Sequence, residues 1–273
     1  MNSLIISNST SSTTTAANEI RLDFPGAALR LDDQQVALNY LGMYYSWRNV
    51  TSSYQNNSFK YRYNGTTYPV NLPDGFYLYS DINNVLHETM RANQHYCLDV
   101  DGNPVYFIEL AQNMTYYSVT WSLSVVAVPA GGTNPFGLVT GSTMQLIIDL
   151  PGFGVLTGTP VGTYPAAPST ALVAFNSPNV PQISPVTTVH VATNISTNTY
   201  NQFSDIIHTF TPTSQYGSFL VISPSWPVWY SVLDGSYRNV SIRFYDQEYR
   251  PLQLVDKGQM SCTLVFRSKL LVN

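Results

Sequence analysis

Histidine, cysteine and carboxylate side chains are the groups whose spacing comes nearest to a metal site in this chain. In His95-Tyr96-Cys97-Leu98-Asp99, three such groups fall on one face of a short extended segment. No fourth ligand lies nearby, and zinc sites usually combine separated pairs of ligands. Asp101 and Asn103 continue an alternation typical of a calcium loop, but Gly102 comes too early and the distant Glu is missing. The pattern predicts a helix exit, a strand and a hairpin turn, with no bound metal.

Acid–base catalysis would need paired carboxylates or histidines, and the sequence supplies no such pattern. A sugar-cleaving jelly roll places two inward carboxylates beside the scissile bond. The chain has four glutamates, and none is placed as part of such a pair: Glu19, Glu88, Glu109 and Glu248. His190 and His208 lack the His-x-His and Glu of metal-binding cupins, and no Gly-x-Ser-x-Gly elbow or Gly-rich phosphate loop occurs. We predict no catalytic, cofactor-binding or metal-binding residue, no cofactor, and hence a protein that is not an enzyme.

An aromatic loop is the most suggestive segment for binding. The stretch Ser223-Pro224-Ser225-Trp226-Pro227-Val228-Trp229-Tyr230 holds two Trp and a Tyr between prolines. Such a loop indicates either an interface anchor or a plug at a strand end over the core, and the sequence favours neither. Seven Asn-x-Ser/Thr triplets are weak evidence for glycosylation, because chance produces several in a chain this rich in Asn, Ser and Thr. Five of them begin at Asn49, Asn64, Asn113, Asn194 and Asn239.

The composition indicates a surface that meets other proteins. Charged residues make up 10% of the 273 residues, whereas 20 Tyr and many Ser, Thr and Asn supply the polar surface; an average soluble protein is about 25% charged. Interface cores are poor in Lys, Glu and Asp and rich in aromatics, because a charge is costly to bury unless it is paired. The composition therefore favours a subunit surrounded by other subunits, with a neutral secreted or sugar-binding domain as the alternative.

Charge and hydropathy also argue against several partners. The net charge is −4 and no Lys/Arg cluster occurs, so we expect no direct contact with nucleic acid. The longest apolar runs, such as Val125-Val126-Ala127-Val128, are far shorter than the roughly 20 residues of a membrane span. Leu4-Ile5-Ile6 lacks a basic flank, so we expect no signal peptide.

Cys97 and Cys262 could form one bridge, but two buried thiols are the favoured interpretation.

Period-two hydrophobicity predicts an all-β fold. The clearest strand is Val119-Thr120-Trp121-Ser122-Leu123-Ser124-Val125, in which every apolar residue falls on one face. Other predicted strands are 20–24, 36–40, 144–150, 219–223, 240–244 and 262–266. Turn signals separate them at Asn64-Gly65, Asp74-Gly75, Asp101-Gly102-Asn103, Asp234-Gly235 and Lys257-Gly258. Many short strands punctuated in this way indicate a sandwich or barrel.

Three segments depart from this pattern. Ile82, Val85, Leu86, Thr89 and Met90 recur at helical spacing, so a short amphipathic helix is predicted near 81–92, capped by Ser80 or Asp81. Residues 129–185 are dense in Pro, Gly and Thr and are interpreted as long surface loops rather than a separate domain. Residues 1–18 form an extended polar arm that cannot order alone; we expect a partner or the chain's own surface to hold it. The predicted organisation is this arm, then one domain over 19–273 with a loop-rich middle at about 129–215.

Segments in the first and last thirds of the chain follow a recognisable order and spacing: Leu22-Asp23-Phe24, 35–39 leading to 44–50, Asn57-Ser58-Phe59-Lys60-Tyr61, 70–77 followed by Asp81-Ile82, and 240–252 with Thr263-Leu264-Val265-Phe266-Arg267. In this order they resemble penton proteins of virophages and polinton-like (Maverick, adintovirus) elements. The middle is similar only at 150–154 and Val189-His190-Val191. One departure is Tyr249, which stands where the family has the Gly of an Asp-x-Asp-Gly turn; we therefore expect a looser hairpin there.

The resemblance implies a single jelly-roll β-sandwich that assembles as a homopentamer at the vertices of an icosahedral capsid, beside a double-jelly-roll major capsid protein. It places the chain in the virion. In such a setting the arm 1–18 is expected to run along a neighbouring capsid subunit. The alternatives are another single jelly-roll capsid or spike protein, or a carbohydrate-binding jelly roll in which Trp226 and Trp229 form the sugar platform.

Overall fold

The computed structural model describes residues 2–7, 16, 18–197, 205–255 and 259–269. These residues form two compact units. Unit 1 combines 1–48 with 186–273, and unit 2 is the continuous segment 49–185 inserted between them. Each unit has its own hydrophobic core. The single domain predicted over 19–273 stays a prediction, because two compact units can still unfold as one cooperative whole.

The strands follow the division into units. Before the insertion come β1 (Asn2–Ser7), β2 (Glu19–Asp23), β3 (Leu29–Leu31) and β4 (Gln34–Tyr44). Unit 2 contains β5 (Ser58–Tyr63), β6 (Thr66–Asn71), helix α1 (Tyr79–Ala92), β7 (Cys97–Leu98), β8 (Pro104–Val105), β9 (Ile108–Asn113), β10 (Ser118–Leu123), β11 (Gln145–Ile148), helix α2 (Pro151–Thr157), β12 (Gly162–Tyr164) and β13 (Val173–Asn176). Unit 1 resumes with β14 (Val189–Thr193), β15 (Ser196–Thr197), β16 (Ile206–Phe210), β17 (Phe219–Ile222), β18 (Tyr230–Val232), β19 (Gly235–Tyr237), β20 (Asn239–Tyr245) and β21 (Ser261–Ser268).

Unit 1 is a β-sandwich with jelly-roll connectivity. Sheet A has the order β1-β21-β4-β18-β15, with β17 also paired to β4, and sheet B has the order β16-β14-β20-β2. From β2 onward the chain alternates between the sheets: β2 in B, β4 in A, β14 in B, β15 in A, β16 in B, β17 and β18 in A, β20 in B and β21 in A. This alternation, with every pairing antiparallel, is the jelly-roll arrangement. The all-β prediction is confirmed.

The core of unit 1 lies between the two sheets. Sheet B contributes Ile20, Val191 and Phe244, and sheet A contributes Leu41 and Leu264, all at most 2% exposed. Alternation along the strands explains this, since every second side chain points to one face. Burial of a large aliphatic or aromatic side chain stabilises a fold by about 1.5–3 kcal/mol, so this shared core is what holds the sheets face to face.

The described part of the polar arm is an edge strand of the chain's own sheet. Strand β1 pairs with β21 from Asn2 opposite Phe266 to Ser7 opposite Ser261, and Ile6 is fully buried. Backbone pairing and one buried isoleucine therefore hold residues 2–7 on the chain's own surface. Residues 8–15 and 17 of the arm lie outside the described residues, and their path along a neighbouring subunit stays a prediction.

Unit 2 packs a helix against short antiparallel sheets. Its sheets have the orders β12-β11-β5-β6 and β13-β10-β9, with β7 and β8 as a separate pair. Helix α1 buries Ile82, Leu86 and Met90 against this core. Asn83 fixes the helix to β9, because its Oδ1 accepts a hydrogen bond from the Leu110 amide at 2.8 Å. The helix begins two residues earlier than predicted, with Leu78 and not Ser80 or Asp81 at the N-cap. Asp81 lies in the first turn, where its Oδ2 accepts a hydrogen bond from the Leu78 amide at 2.8 Å.

Several elements of the structure go beyond the sequence pattern. The predicted helix near 81–92 is confirmed as α1, whereas α2 was not predicted. The loop-rich segment 129–185 contains the predicted strand at 144–150, of which Gln145–Ile148 forms β11, and it supplies buried Leu146, Ile148 and Phe153 to the core of unit 2. Of the helices within the described ranges, neither is long and apolar enough to cross a membrane.

Candidate assembly surface

The structure separates the side chains that came nearest to a metal site. His95 is buried among Tyr61, Tyr63 and Tyr68. Asn93 donates from Nδ2 to the Tyr61 hydroxyl oxygen at 3.1 Å, and the same hydroxyl lies 2.8 Å from His95 Nδ1, within hydrogen-bond distance. Burial lowers the pKa of His95, which favours its neutral form. His95 is therefore a structural group of unit 2.

The alternating Asp99, Asp101 and Asn103 form a hairpin turn, as predicted. Asp99 Oδ1 accepts hydrogen bonds from the amides of Asp101 at 2.9 Å and Asn103 at 2.8 Å, and its Oδ2 accepts from Asn103 Nδ2 at 3.2 Å. These donors lower the pKa of Asp99. The Asp99 carboxylate thus makes its hydrogen bonds within the turn between β7 and β8 and stabilises that turn.

The other candidate catalytic groups are scattered. Glu88 is exposed on α1 and Glu109 on β9, Glu248 pairs with Arg250 at 3.0 Å, and Glu19 lies in β2. His190 Nδ1 lies 3.0 Å from Thr209 Oγ1. In the part of the chain that the structure describes, no group of three or more His, Cys, Asp or Glu side chains is placed to hold a metal. Cys97 and Cys262 are both free and buried, as the sequence favoured.

The triplet asparagine Asn49 is a buried structural link within unit 2. Its Nδ2 donates to the Tyr77 carbonyl at 2.8 Å and the Ile183 carbonyl at 2.7 Å, and its Oδ1 accepts from the Tyr77 amide at 2.8 Å. Asn49 is 3% exposed, so it is not accessible to a glycosylating enzyme in the folded chain. It joins the two ends of unit 2 to the segment that precedes α1.

The turn at 246–250 corrects the expectation of a looser hairpin. Asp246, fully buried, accepts hydrogen bonds from the amides of Glu248 and Arg250, both at 2.9 Å, and from Arg250 Nε at 2.7 Å. Tyr249 adopts the left-handed conformation of the absent Gly, with φ +60°. Its ring stacks on Tyr245 at 4.0 Å and its hydroxyl donates to Asp205. These contacts offset the strain of a non-Gly residue at positive φ and fix the turn.

The aromatic loop interrupts one strand of sheet A. Ile222 of β17 pairs with Leu41, and Tyr230 of β18 pairs with Val36, so both strands run along the same side of β4. Seven residues, 223–229, bulge out between these two pairings. We call them the Trp loop. Pro224 and Pro227 cannot donate to a sheet ladder, which explains why pairing stops where the loop begins.

The two tryptophans of the Trp loop have different environments. Trp229 is half-buried and lies under the Arg267 guanidinium, 4.3 Å from its ring centroid. Arg267 Nε in turn donates to Gln35 Oε1 at 2.9 Å. Trp226 is 85% exposed. Trp229 therefore anchors the loop to sheet A, while Trp226 projects from it. The interface anchor stays a prediction.

The outer face of sheet A is almost free of charge. Arg267 is the one charged residue in the described strands of this sheet, whereas the strands of sheet B include Glu19, Arg21, Asp23 and Arg243. Ile5, Phe219 and Val221 are 65%, 41% and 61% exposed, and Val228 of the Trp loop is 56% exposed. Exposed apolar side chains grouped in this way mark interaction sites more often than free surface.

Gly42 allows aromatic rings to lie flat across this face. A Cβ at Gly42 would come within 2.6 Å of the Tyr40 hydroxyl and 2.8 Å of Phe219 Cζ. Phe219 also meets Tyr44 edge-on, with ring centroids 5.1 Å apart. The sequence showed the aromatic run at 44–47 and the Trp loop, but nothing local indicated that β17 brings Phe219 beside Tyr44.

Comparison with known proteins gives structural neighbours only. No protein-family model matches the sequence, and no curated protein matches it. Eleven chains of solved structures are similar to it. One is the penton protein of mavirus, 8% identical with a TM-score of 0.45, over 92% of this chain and 91% of that one. Another is from the Sputnik virophage, 14% identical with a TM-score of 0.37, over 98% of both chains.

These neighbours are a penton protein and a virophage chain, the same kinds of protein that the sequence segments resemble. The features of this chain that bear on assembly are the jelly-roll strands of unit 1, the charge-poor outer face of sheet A and the Trp loop.

Proposed function

We propose that the chain is a structural capsid subunit, and that five copies form the vertex of an icosahedral virus particle. The observation that carries this proposal is the outer face of sheet A, where the described strands hold one charged residue and several exposed apolar side chains. Burying such a face against a neighbour removes apolar surface from water without stranding charges. The resemblance of the sequence to penton proteins supplies the vertex position and the fivefold number.

A subunit of this kind has two partners. Copies of itself close the pentamer, and a double-jelly-roll major capsid protein surrounds it in the shell. Neither contact requires a catalytic group. This agrees with the roles of Asp99 and Asp246 in turns and of His95 in packing. The proposed location is therefore the virion, at the capsid vertex.

The decisive measurement is the mass of the native assembly. Native mass spectrometry of the recombinant full-length chain should give a species of five times the chain mass of 30.4 kDa. Reconstruction of virus particles should then place this chain on the fivefold axes. A chain that stays monomeric at all accessible concentrations, together with vertices built from another protein, would contradict the proposal.

Carbohydrate binding is the second candidate, because Trp226 is 85% exposed. A sugar platform usually needs more than one free aromatic face, and Trp229 already stacks against Arg267. Glycan-array binding that is lost on Trp226→Ala, in a chain that does not form pentamers, would favour this function over the capsid role.

A further inference from the structure

A cleft opens at the edge of sheet A, between β1 and β3. It has a volume of about 420 Å³, and its apolar walls are Leu4, Leu29, Leu31 and Phe266. Leu31 and Phe266 are buried, at 6% and 5% exposure. Arg30 and Asp32, paired at 2.5 Å, also line the cleft. The cleft thus combines an apolar floor with a cation and an anion at its margin.

The chemistry of Trp226 matches this cleft. An indole ring offers a large apolar surface, an N–H that must find an acceptor when buried, and a face that attracts cations. The cleft supplies the corresponding groups: leucine and phenylalanine walls, the Asp32 carboxylate and the Arg30 guanidinium. The chain already uses an arginine over an indole face at Arg267 and Trp229.

The Trp loop is suited to insertion. It contains no charged residue, so burying it does not strand a charge. Pro224 and Pro227 flank Trp226 and restrict the backbone, which lowers the entropy lost on binding. Trp is also the residue most enriched among those that dominate interface energies.

The Trp loop and the cleft are built from different strands. Strand order β1-β21-β4-β18 places the cleft at the β1 edge, whereas the Trp loop leaves the sheet between β17 and β18 and reaches over β4 to Arg267. A ring of identical subunits needs two different complementary patches on each copy. The Trp loop with Trp226 and the β1–β3 cleft are two different patches of one subunit, so they meet this requirement.

We infer that Trp226 of one subunit inserts into the β1–β3 cleft of the next copy and so forms the ring contact of the pentamer. This inference rests on the proposed capsid function and specifies which surfaces join. Asp32 receives the indole N–H, and Arg30 lies against the indole face. Because the contact joins two different surfaces, its repetition makes a ring when the rotation per subunit closes, and the proposed capsid function supplies the number five.

Cysteine cross-linking tests the contact directly. The variant Ser225→Cys/Ser3→Cys keeps Trp226 and Asp32 and places one thiol beside Trp226 and one in the cleft lining. It should form disulfides between copies and give a ladder of covalent species up to the pentamer on a denaturing gel. Each single-cysteine variant alone should give no ladder, and an equimolar mixture of the two should give covalent dimers. The natural Cys97 and Cys262 are buried and do not interfere. No covalent dimer in the mixture, from a chain shown to be pentameric, would overturn the inference.

Substitution gives a second, quantitative test. Trp226→Ala should raise the concentration needed for half-assembly by about tenfold or more, with the thermal unfolding midpoint unchanged because the side chain is exposed. Tyr116→Ala is the matched control: Tyr116 is 69% exposed in unit 2 and should leave assembly within about twofold. A pentamer insensitive to Trp226→Ala would overturn the ring contact and leave the capsid proposal standing. A wild-type chain that never forms pentamers would instead count against the capsid proposal itself.

Discussion

Unit 1 and unit 2 are both built from antiparallel strands, but they stabilise their interiors differently. The core of unit 2 contains hydrogen-bonded polar and aromatic groups: the Tyr61 hydroxyl meets His95, and Trp121 Nε1 donates to Thr159 Oγ1 at 3.0 Å. In unit 1 the sheets meet through apolar side chains, Phe244 and Phe266 among them, and the buried carboxylate Asp246 organises a turn. Unit 2 is therefore expected to depend on hydrogen-bond geometry and protonation, and unit 1 on packing and on contacts with other copies.

The largest expected effect is on the core of unit 2. Trp121→Ala removes a fully buried ring that meets Phe59 edge-on and leaves a cavity, so it should lower the free energy of unfolding of unit 2 by about 3–5 kcal/mol. Hydrogen exchange of the slowest amides in β10 measures this. The matched control Trp226→Ala should cost less than about 0.5 kcal/mol. Equal losses at the slowest amides of β20 would show instead that both units unfold as the single predicted domain.

Asn49→Ala should be the next most damaging change in unit 2. It leaves the Tyr77 amide and two buried carbonyls without their partner, which should cost about 3 kcal/mol. Denaturant unfolding compares it with Asn84→Ala, an exposed asparagine on α1 whose loss should cost less than about 0.5 kcal/mol. Similar effects of the two changes would mean that Asn49 does not join the ends of unit 2.

A smaller effect is expected at the Tyr249 turn of unit 1. Tyr249→Phe keeps the stacking on Tyr245 but loses the hydrogen bond to Asp205, which should cost about 1 kcal/mol. Tyr249→Gly relieves the strain at φ +60° but loses both contacts. If the Gly variant proved more stable than the wild type in thermal unfolding, the contacts of Tyr249 would not stabilise the turn.

The smallest effect, and the sharpest contrast between the units, is expected in mild acid. Burial lowers the pKa of His87 and His95 in unit 2 and of His208 in unit 1. The unfolded state therefore binds protons first as the pH falls below about 6.5, and the folded state loses stability below that pH. Hydrogen exchange at pH 7 and pH 5 should show a larger loss in unit 2. His95→Gln should reduce that difference, and an unchanged difference would contradict the role of His95.

The sequence predicts the local elements well because their signals are local. Alternation at 119–125 became β10, the pattern at 262–266 became part of β21, and the helical spacing of Ile82 and Leu86 became α1. Helix α2 was not predicted, because Gly152 and Gly154 disfavour a helix. It forms because burial of Phe153 and Leu156 in the core outweighs this local preference.

Long-range features could not be predicted from local patterns. Strand β1 is polar and orders only because β21, more than 250 residues later, supplies its backbone partners. The same distance hides the cleft, whose walls come from Leu4, Leu29 and Phe266. The Trp loop, by contrast, was visible at once, because prolines and tryptophans mark it within eight residues. The sequence alone therefore identifies the Trp loop but not the cleft.

The insertion of unit 2 between β4 and β14 has a consequence for synthesis. Unit 2 is continuous, so its contacts can form as soon as residue 185 has left the ribosome, and local contacts form quickly. Sheet A cannot be completed until β21 is made, since β21 lies between β1 and β4 and carries Phe266 of the cleft. The same strand carries Arg267, which anchors Trp229 of the Trp loop, so both surfaces of the proposed ring contact are completed only when β21 has been made. Under that proposal a chain truncated before β21 would have neither a finished loop nor a finished cleft, and it would be left out of the ring.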